Sequence, residues 1–75
     1  MGIKSESKIN NRLLILRMEK KLSQKELAAK VGVSRQTIIS LENNRYSPSL
    51  ILAFEIAYIL EKDINEVFQF IKSEE

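Results

Sequence analysis

SQKELAAKVGVSRQTIISLE, residues 23–42, decides the fold. Ser23 and Glu26 form the Ser-x-x-Glu capping box, in which each side chain satisfies a backbone N–H that a helix start leaves free. Leu27, Ala28 and Val31 follow at helical spacing. Gly32 ends this helix, because a residue without Cβ accepts the left-handed cap. Ser34 is a preferred N-cap, so a second helix starts at once. Ile38 and Leu41 face inward on it, and Asn43-Asn44 closes it, Asn being the next-best left-handed residue after Gly. Only Gly32-Val33 lies between Val31 and Ser34. Two short helices joined so tightly cannot lie antiparallel; they cross steeply and share a small core. Ala28 is small where they approach, and Val33 and Ile38 are apolar where the angle must be sealed.

Three more helices are predicted around this pair. One precedes it, from near Asn10 or Asn11 to about Lys20, with Leu13, Leu16 and Arg17 at i, i+3 and i+4. Tyr46-Ser47-Pro48-Ser49 reads as a loop. Pro48 or Ser49 then begins a helix through about Leu60, with Leu50, Ala53, Ile56, Ala57 and Leu60 as its core. Asp63 and Glu66 repeat the capping pattern and open a short last helix, from Ile64 to about Phe68 or beyond. The expectation is an all-α, compact five-helix domain over residues 9–71, between a flexible tail at 1–8 and an acidic tail at 72–75.

Composition narrows the function. With 75 residues and no Cys or His, the chain has no disulfide, no thiolate or imidazole metal ligand, and not the commonest general base. No Gly-rich phosphate loop is present, and the carboxylates fall mainly on solvated or capping positions. No enzyme activity, cofactor or metal is therefore expected. No run approaches the roughly 18 apolar residues of a membrane span, and the absence of Cys suits a reducing, cytoplasmic setting. The net charge of +2 hides an asymmetry: residues 1–22 carry +4, residues 23–49 carry +2, and residues 50–75 carry −4. Such a polarity fits a polyanion on one side of the molecule, or a mixed solvated surface.

The run from Ser23 to Ala28, the run from Val31 to Ile38, then Leu41-Glu42-Asn43 and Pro48-Ser49-Leu50 together resemble the Cro and phage-repressor type of helix-turn-helix regulators (the xenobiotic response element family), over roughly residues 9–70. The resemblance implies a lambda-repressor-like domain that binds a double-stranded DNA operator, usually as a dimer, with the second helix of the pair in the major groove. Arg35 and Gln36, in the first turn of that helix, fall on the family's base-reading positions. Arg pairs bidentately with guanine and Gln with adenine. Ser40, a turn later, reaches a base through water. Gln24, at a helix start that favours phosphate, is a phosphate contact by the same resemblance. So are Ser34, Thr37, Asn43, Asn44 and Arg45 at the two ends of the recognition helix, and Asn11 before the first helix. Arg12 is open between such a contact and a solvated charge. Arg17 and Glu42 match a structural ion pair of the family.

The chain departs from the family in two ways. Asn44 and Lys21 stand where Gly is usual. Apolar residues also occupy positions that are usually polar: Leu14, Ile15, Ile39, Ile51 and Tyr58. Ile51, Phe54 and Tyr58 make a second stripe on the fourth helix, and Val67, Phe68, Phe70 and Ile71 add to it. Surplus apolar surface in a small domain points to a partner; the expectation is a homodimer using Ile51, Phe54, Tyr58, Phe68 and Phe70, against the plainer reading of an enlarged core. Ile39 is open between a thymine-methyl contact and simple exposure. The rival function is a protein-interaction adaptor or antitoxin built on the same fold.

Overall fold

A computed structural model describes residues 8–72. Its elements are β1 (Lys8–Asn11), α1 (Leu13–Glu19), α2 (Gln24–Val31), α3 (Arg35–Glu42), α4 (Leu50–Leu60), α5 (Ile64–Val67) and β2 (Phe68–Ile71). Of the tails expected at 1–8 and 72–75, residues 1–7 and 73–75 lie outside the described residues, and Lys8 is instead the first residue of β1.

Each start has a chemical cause. The Ser23 hydroxyl accepts the Glu26 N–H at 2.9 Å, and the Glu26 carboxylate accepts the Ser23 N–H at 2.8 Å. Ser34 and Ser49 cap α3 and α4 by accepting the Thr37 and Leu52 N–H groups, each at 3.2 Å. The Glu66 carboxylate accepts the Asp63 N–H at 2.9 Å. Gly32 has φ +78° and turns the chain between α2 and α3. Among the described residues, three that are not glycine share that left-handed region: Lys21, Asn44 and Glu61, with φ of 61°, 56° and 60°.

The core lies where the helices converge. Leu13, Leu27, Ile38, Leu41, Ile56 and Val67 are almost wholly removed from water. Every helix supplies at least one of them, so no helix buries its apolar stripe without the others. At roughly 1.5–3 kcal/mol for each fully buried side chain of this size, this shared cluster is the main attraction opposing chain entropy.

The purely helical expectation is corrected by the ribbon. β1 and β2 pair antiparallel, with Lys8 opposite Ile71 and Asn11 opposite Phe68. The Arg12 N–H donates to the Val67 carbonyl at 2.9 Å, carrying the ladder one step further. α1 therefore begins at Leu13 rather than Asn10 or Asn11. α5 is a single turn, because Phe68 is already extended at φ −123° and ψ 131°. A local reading treats residues 68–71 as a helix end; the strand forms because its partner lies some sixty residues back.

Leu50 is a second correction. It is 73% exposed, and the α4 core stripe starts instead at Leu52. Helical side chains lean over the turn N-terminal to them. Leu50 opens the helix, has no such turn beneath it, and overhangs a groove beside Ile9, Pro48 and Phe70.

Candidate nucleic-acid interface

A chain of polar contacts runs from the core to the first turn of α3. Arg17 is buried on α1, and its Nε donates to Glu42 Oε2 at 2.6 Å. Its Nη2 reaches Glu42 Oε1 at 3.4 Å, and its Nη1 donates to the Leu22 carbonyl at 2.8 Å. Glu42 Oε1 also accepts from Gln24 Nε2 at 3.0 Å. The Gln24 amide oxygen in turn accepts from Arg35 Nε at 3.3 Å. Three helices are thus tied through one carboxylate. Arg35 is exposed, and this bond uses its Nε alone, so its two terminal Nη groups, a fork suited to bidentate contacts, take no part in the tether.

Gln36 is exposed beside Arg35, while Thr37 and Ser40 are half-buried along the same side of α3. The Ser34 and Thr37 hydroxyls lie 3.0 Å apart. Ser34, Gln36, Thr37 and Ser40 line one shallow concavity, and its remaining wall is Tyr46. Ile39 is half-buried. At the far end of α3, Asn43 and Arg45 are exposed, and the Arg45 N–H is fixed to the Ser40 carbonyl at 2.9 Å.

Asn11 and Asn44, expected as phosphate contacts, also make hydrogen bonds within the chain. Asn11 Nδ2 donates to the Leu41 carbonyl and to Asn44 Oδ1, both at 2.8 Å. Its own oxygen accepts the Leu13 N–H at 3.0 Å. Asn44 Nδ2 donates to Asn10 Oδ1 at 2.8 Å. These side chains are satisfied within the chain; they form a brace from the ribbon to the end of α3. Sequence reasoning missed Asn10 here because nothing near it in the chain announces the partner.

On the opposite side, Ile51, Phe54, Tyr58 and Phe70 are exposed, whereas Phe68 is half-buried against the core. Phe68 therefore divides its surface between the core and the clefts beside the ribbon. Among the described residues no helix is long and apolar enough to cross a membrane, and no cluster of three acidic residues is arranged for a metal ion.

Two carboxylates are held below their usual range. For Glu26 the cause is the Ser23 backbone N–H and then the Ser23 hydroxyl. For Glu61 it is the hydrogen bond from Lys20, at 2.7 Å, and then that ammonium's charge. Both are exposed, and neither belongs to the α3 face.

The same helix pair and its flanking helices are found in known proteins. The helix-turn-helix family profile matches residues 13–67. The chain belongs to the helix-turn-helix family, of the Cro and phage-repressor type. An HTH-type transcriptional regulator of Methanothermobacter thermautotrophicus is 58% identical over 53 residues, covering 69% of this chain and 77% of its own. Another, of Methanocaldococcus jannaschii, is 47% identical over 60 residues, covering 80% and 91%. The crystal structure of the restriction-modification controller protein C.AhdI from Aeromonas hydrophila superposes with a TM-score of 0.69 at 33% identity, covering 73% of this chain and 80% of that one. This helix-turn-helix family is a non-enzymatic class of regulators. In this member the helix pair is α2 and α3.

Proposed function

We propose that this chain is a sequence-specific binder of double-stranded DNA that acts as a transcriptional repressor. α3 lies in the major groove, and two copies grip one operator. The observation that carries the reading is the tether Arg17–Glu42–Gln24–Arg35. It spends a buried carboxylate on holding an exposed guanidinium in one place. A solvated surface arginine needs no such support; a base-reading one does, because bidentate pairing requires a fixed fork.

Arg35 and Gln36 read bases, and Ser40 reads through water. Gln24, Ser34, Thr37, Asn43, Asn44 and Arg45, with Asn11 before α1, contact the phosphates on either side. Phosphate contacts fix register and carry no sequence information. A protein bound across an operator excludes whatever else would bind there, hence repression.

The dimer surface is the exposed side of α4 with the ribbon. Ile9, Leu50, Ile51, Phe54, Tyr58 and Phe70 are all exposed there. With large side chains contributing about 150–250 Å² when fully covered, these partial exposures amount to on the order of 800 Å². That is about what one partner contributes to a stable interface. Residues 50–75, which begin with α4, carry the acidic third of the chain, so pairing there keeps those charges away from the DNA.

Selection of sites from a random duplex pool, with wild type and Arg35→Ala/Gln36→Ala in parallel, tests the reading. The expected result is a two-fold palindrome with half-sites about one helical turn apart, lost in the double variant. If wild type enriches no site, the regulator reading is overturned and the adaptor or antitoxin takes its place.

A further inference from the structure

Tyr46 belongs neither to the core nor to the tether that holds Arg35. It follows α3 closely, and nearly half of it is open to solvent. It closes the concavity formed by Ser34, Gln36, Thr37 and Ser40. Its other side borders a second cleft, shared with Lys8, Asn10 and Arg45. Tyr46 thus borders both the α3 face and a cleft that two cations, Lys8 and Arg45, also line.

Tyr46 sits on a fixed support. The Asn44 and Arg45 N–H groups donate to the carbonyls of Leu41 and Ser40, at 3.0 and 2.9 Å. The Asn44 side chain is bound on both sides by Asn10 and Asn11. Pro48 lies two residues further on and restricts the backbone again. The backbone leading into Tyr46 is thus fixed, and a side chain left this exposed is not filling the core.

We propose that Tyr46 is a DNA-backbone contact, with its hydroxyl donating to a phosphate at the edge of the half-site and its ring lying against the adjoining deoxyribose. The inference rests on the DNA-binding reading and deepens it. A helix about 10–12 Å across fills a major groove about 12 Å wide. A group just beyond the end of α3 therefore meets the groove wall, which is sugar and phosphate, rather than base edges. A phenol suits that wall, with an apolar body and one polar tip. Lys8 and Arg45, flanking the same cleft, then face the next phosphates along that strand.

Three measurements on the full chain and its selected duplex test this. Tyr46→Phe keeps the ring and removes only the hydroxyl, and circular dichroism checks that its fold is retained. Its affinity is expected to fall roughly tenfold, as for the loss of one hydrogen bond to a charged group. The fall is equal for the selected site and for unrelated duplex, because a phosphate contact carries no base information. The slope of log affinity against log salt stays as in wild type, since no charge is lost, whereas Arg45→Ala lowers it by about one. Nitration with tetranitromethane, mapped by mass spectrometry, is expected to show Tyr46 protected when duplex is added. Tyr46→Phe binding as tightly as wild type, with Tyr46 nitrated equally in the complex, overturns the inference while leaving the DNA reading intact. A fall confined to the selected site would assign Tyr46 to base reading and overturn the backbone contact. Wild type that binds no duplex overturns both.

Discussion

Replacing Arg17 by Met is the sharpest probe of how α3 is held. Met preserves most of the buried aliphatic volume and removes the charge. Side-chain exposure at the pair is 10% for Arg17 and 5% for Glu42. The variant leaves a nearly dry carboxylate with Gln24 as its remaining donor, and a Leu22 carbonyl without its guanidinium. Breaking a buried pair from one side costs about 3–5 kcal/mol. The whole fold, at 75 residues, is worth roughly 4–11 kcal/mol on the usual per-residue scale. The loss is thus about a quarter of the total or more. For a domain this size it lowers the melting temperature by at least about 12 °C and the urea midpoint by at least about 1 M. Both are read by far-ultraviolet circular dichroism at one fixed protein concentration, because dimerisation would otherwise shift the midpoint. Glu42→Leu is expected to cost a similar amount, and Arg17→Met/Glu42→Leu much less than the two together, since the double variant leaves no lone buried charge. Arg17→Met within about 1 kcal/mol of wild type, or strictly additive single variants, would refute the claim that this pair is dry and coupled.

Two of the left-handed positions, Lys21 and Asn44, should respond oppositely to glycine. Lys21→Gly relieves a left-handed backbone and is expected to stabilise by a few tenths to about 1 kcal/mol. Asn44→Gly relieves the same strain but breaks two side-chain hydrogen bonds, each worth about 1 kcal/mol, so it should destabilise; equal effects in urea melts would show that the brace carries no energy. Glu26 has a folded pKa below its ordinary 4.5. Its contribution is therefore complete above that value and is lost as pH falls through the lowered one. Carbon-detected nuclear magnetic resonance should find its midpoint below 4.5, and Glu26→Gln should flatten that part of the acid unfolding curve; a midpoint at or above 4.5 contradicts the capping geometry. Phe54→Glu should leave the helical spectrum unchanged and give a monomer in sedimentation, and a wild type that is itself monomeric at tens of micromolar would sink the dimer.

The sequence was informative wherever the deciding chemistry is local. Ser23 with Glu26, Ser34 and Gly32 each act within four residues, and those signals place α2, the turn and α3 with little ambiguity. The expected left-handed turn at Asn44 is present too. Long-range pairing was invisible. Lys8 reads as the end of a tail and Phe70 as apolar surface beyond a short helix, because a strand of four residues has no signature until its partner is known. The polar brace failed to show for the same reason: asparagine at 10, 11 and 44 is equally suited to a phosphate, a cap or another asparagine, and only the ribbon's register chooses. Glu61 carries no local signal either, because a glutamate in the left-handed region goes against its intrinsic preference; the backbone turns there after α4, with the side chain bound to Lys20.

The ribbon has a consequence for how the molecule comes into being. Its first strand emerges from the ribosome early and must wait for almost the entire remaining chain before Ile71 arrives to meet Lys8. Closing a loop of that length costs on the order of 3–4 kcal/mol in chain entropy, so the ribbon is a late event that the helices must already favour. Since Asn10 and Asn11 ride on that strand, the far end of α3 is secured last. A nascent or truncated chain ending before Phe68 would carry all of α2 and α3 and still lack the paired strand that holds Asn10 and Asn11 against the end of α3.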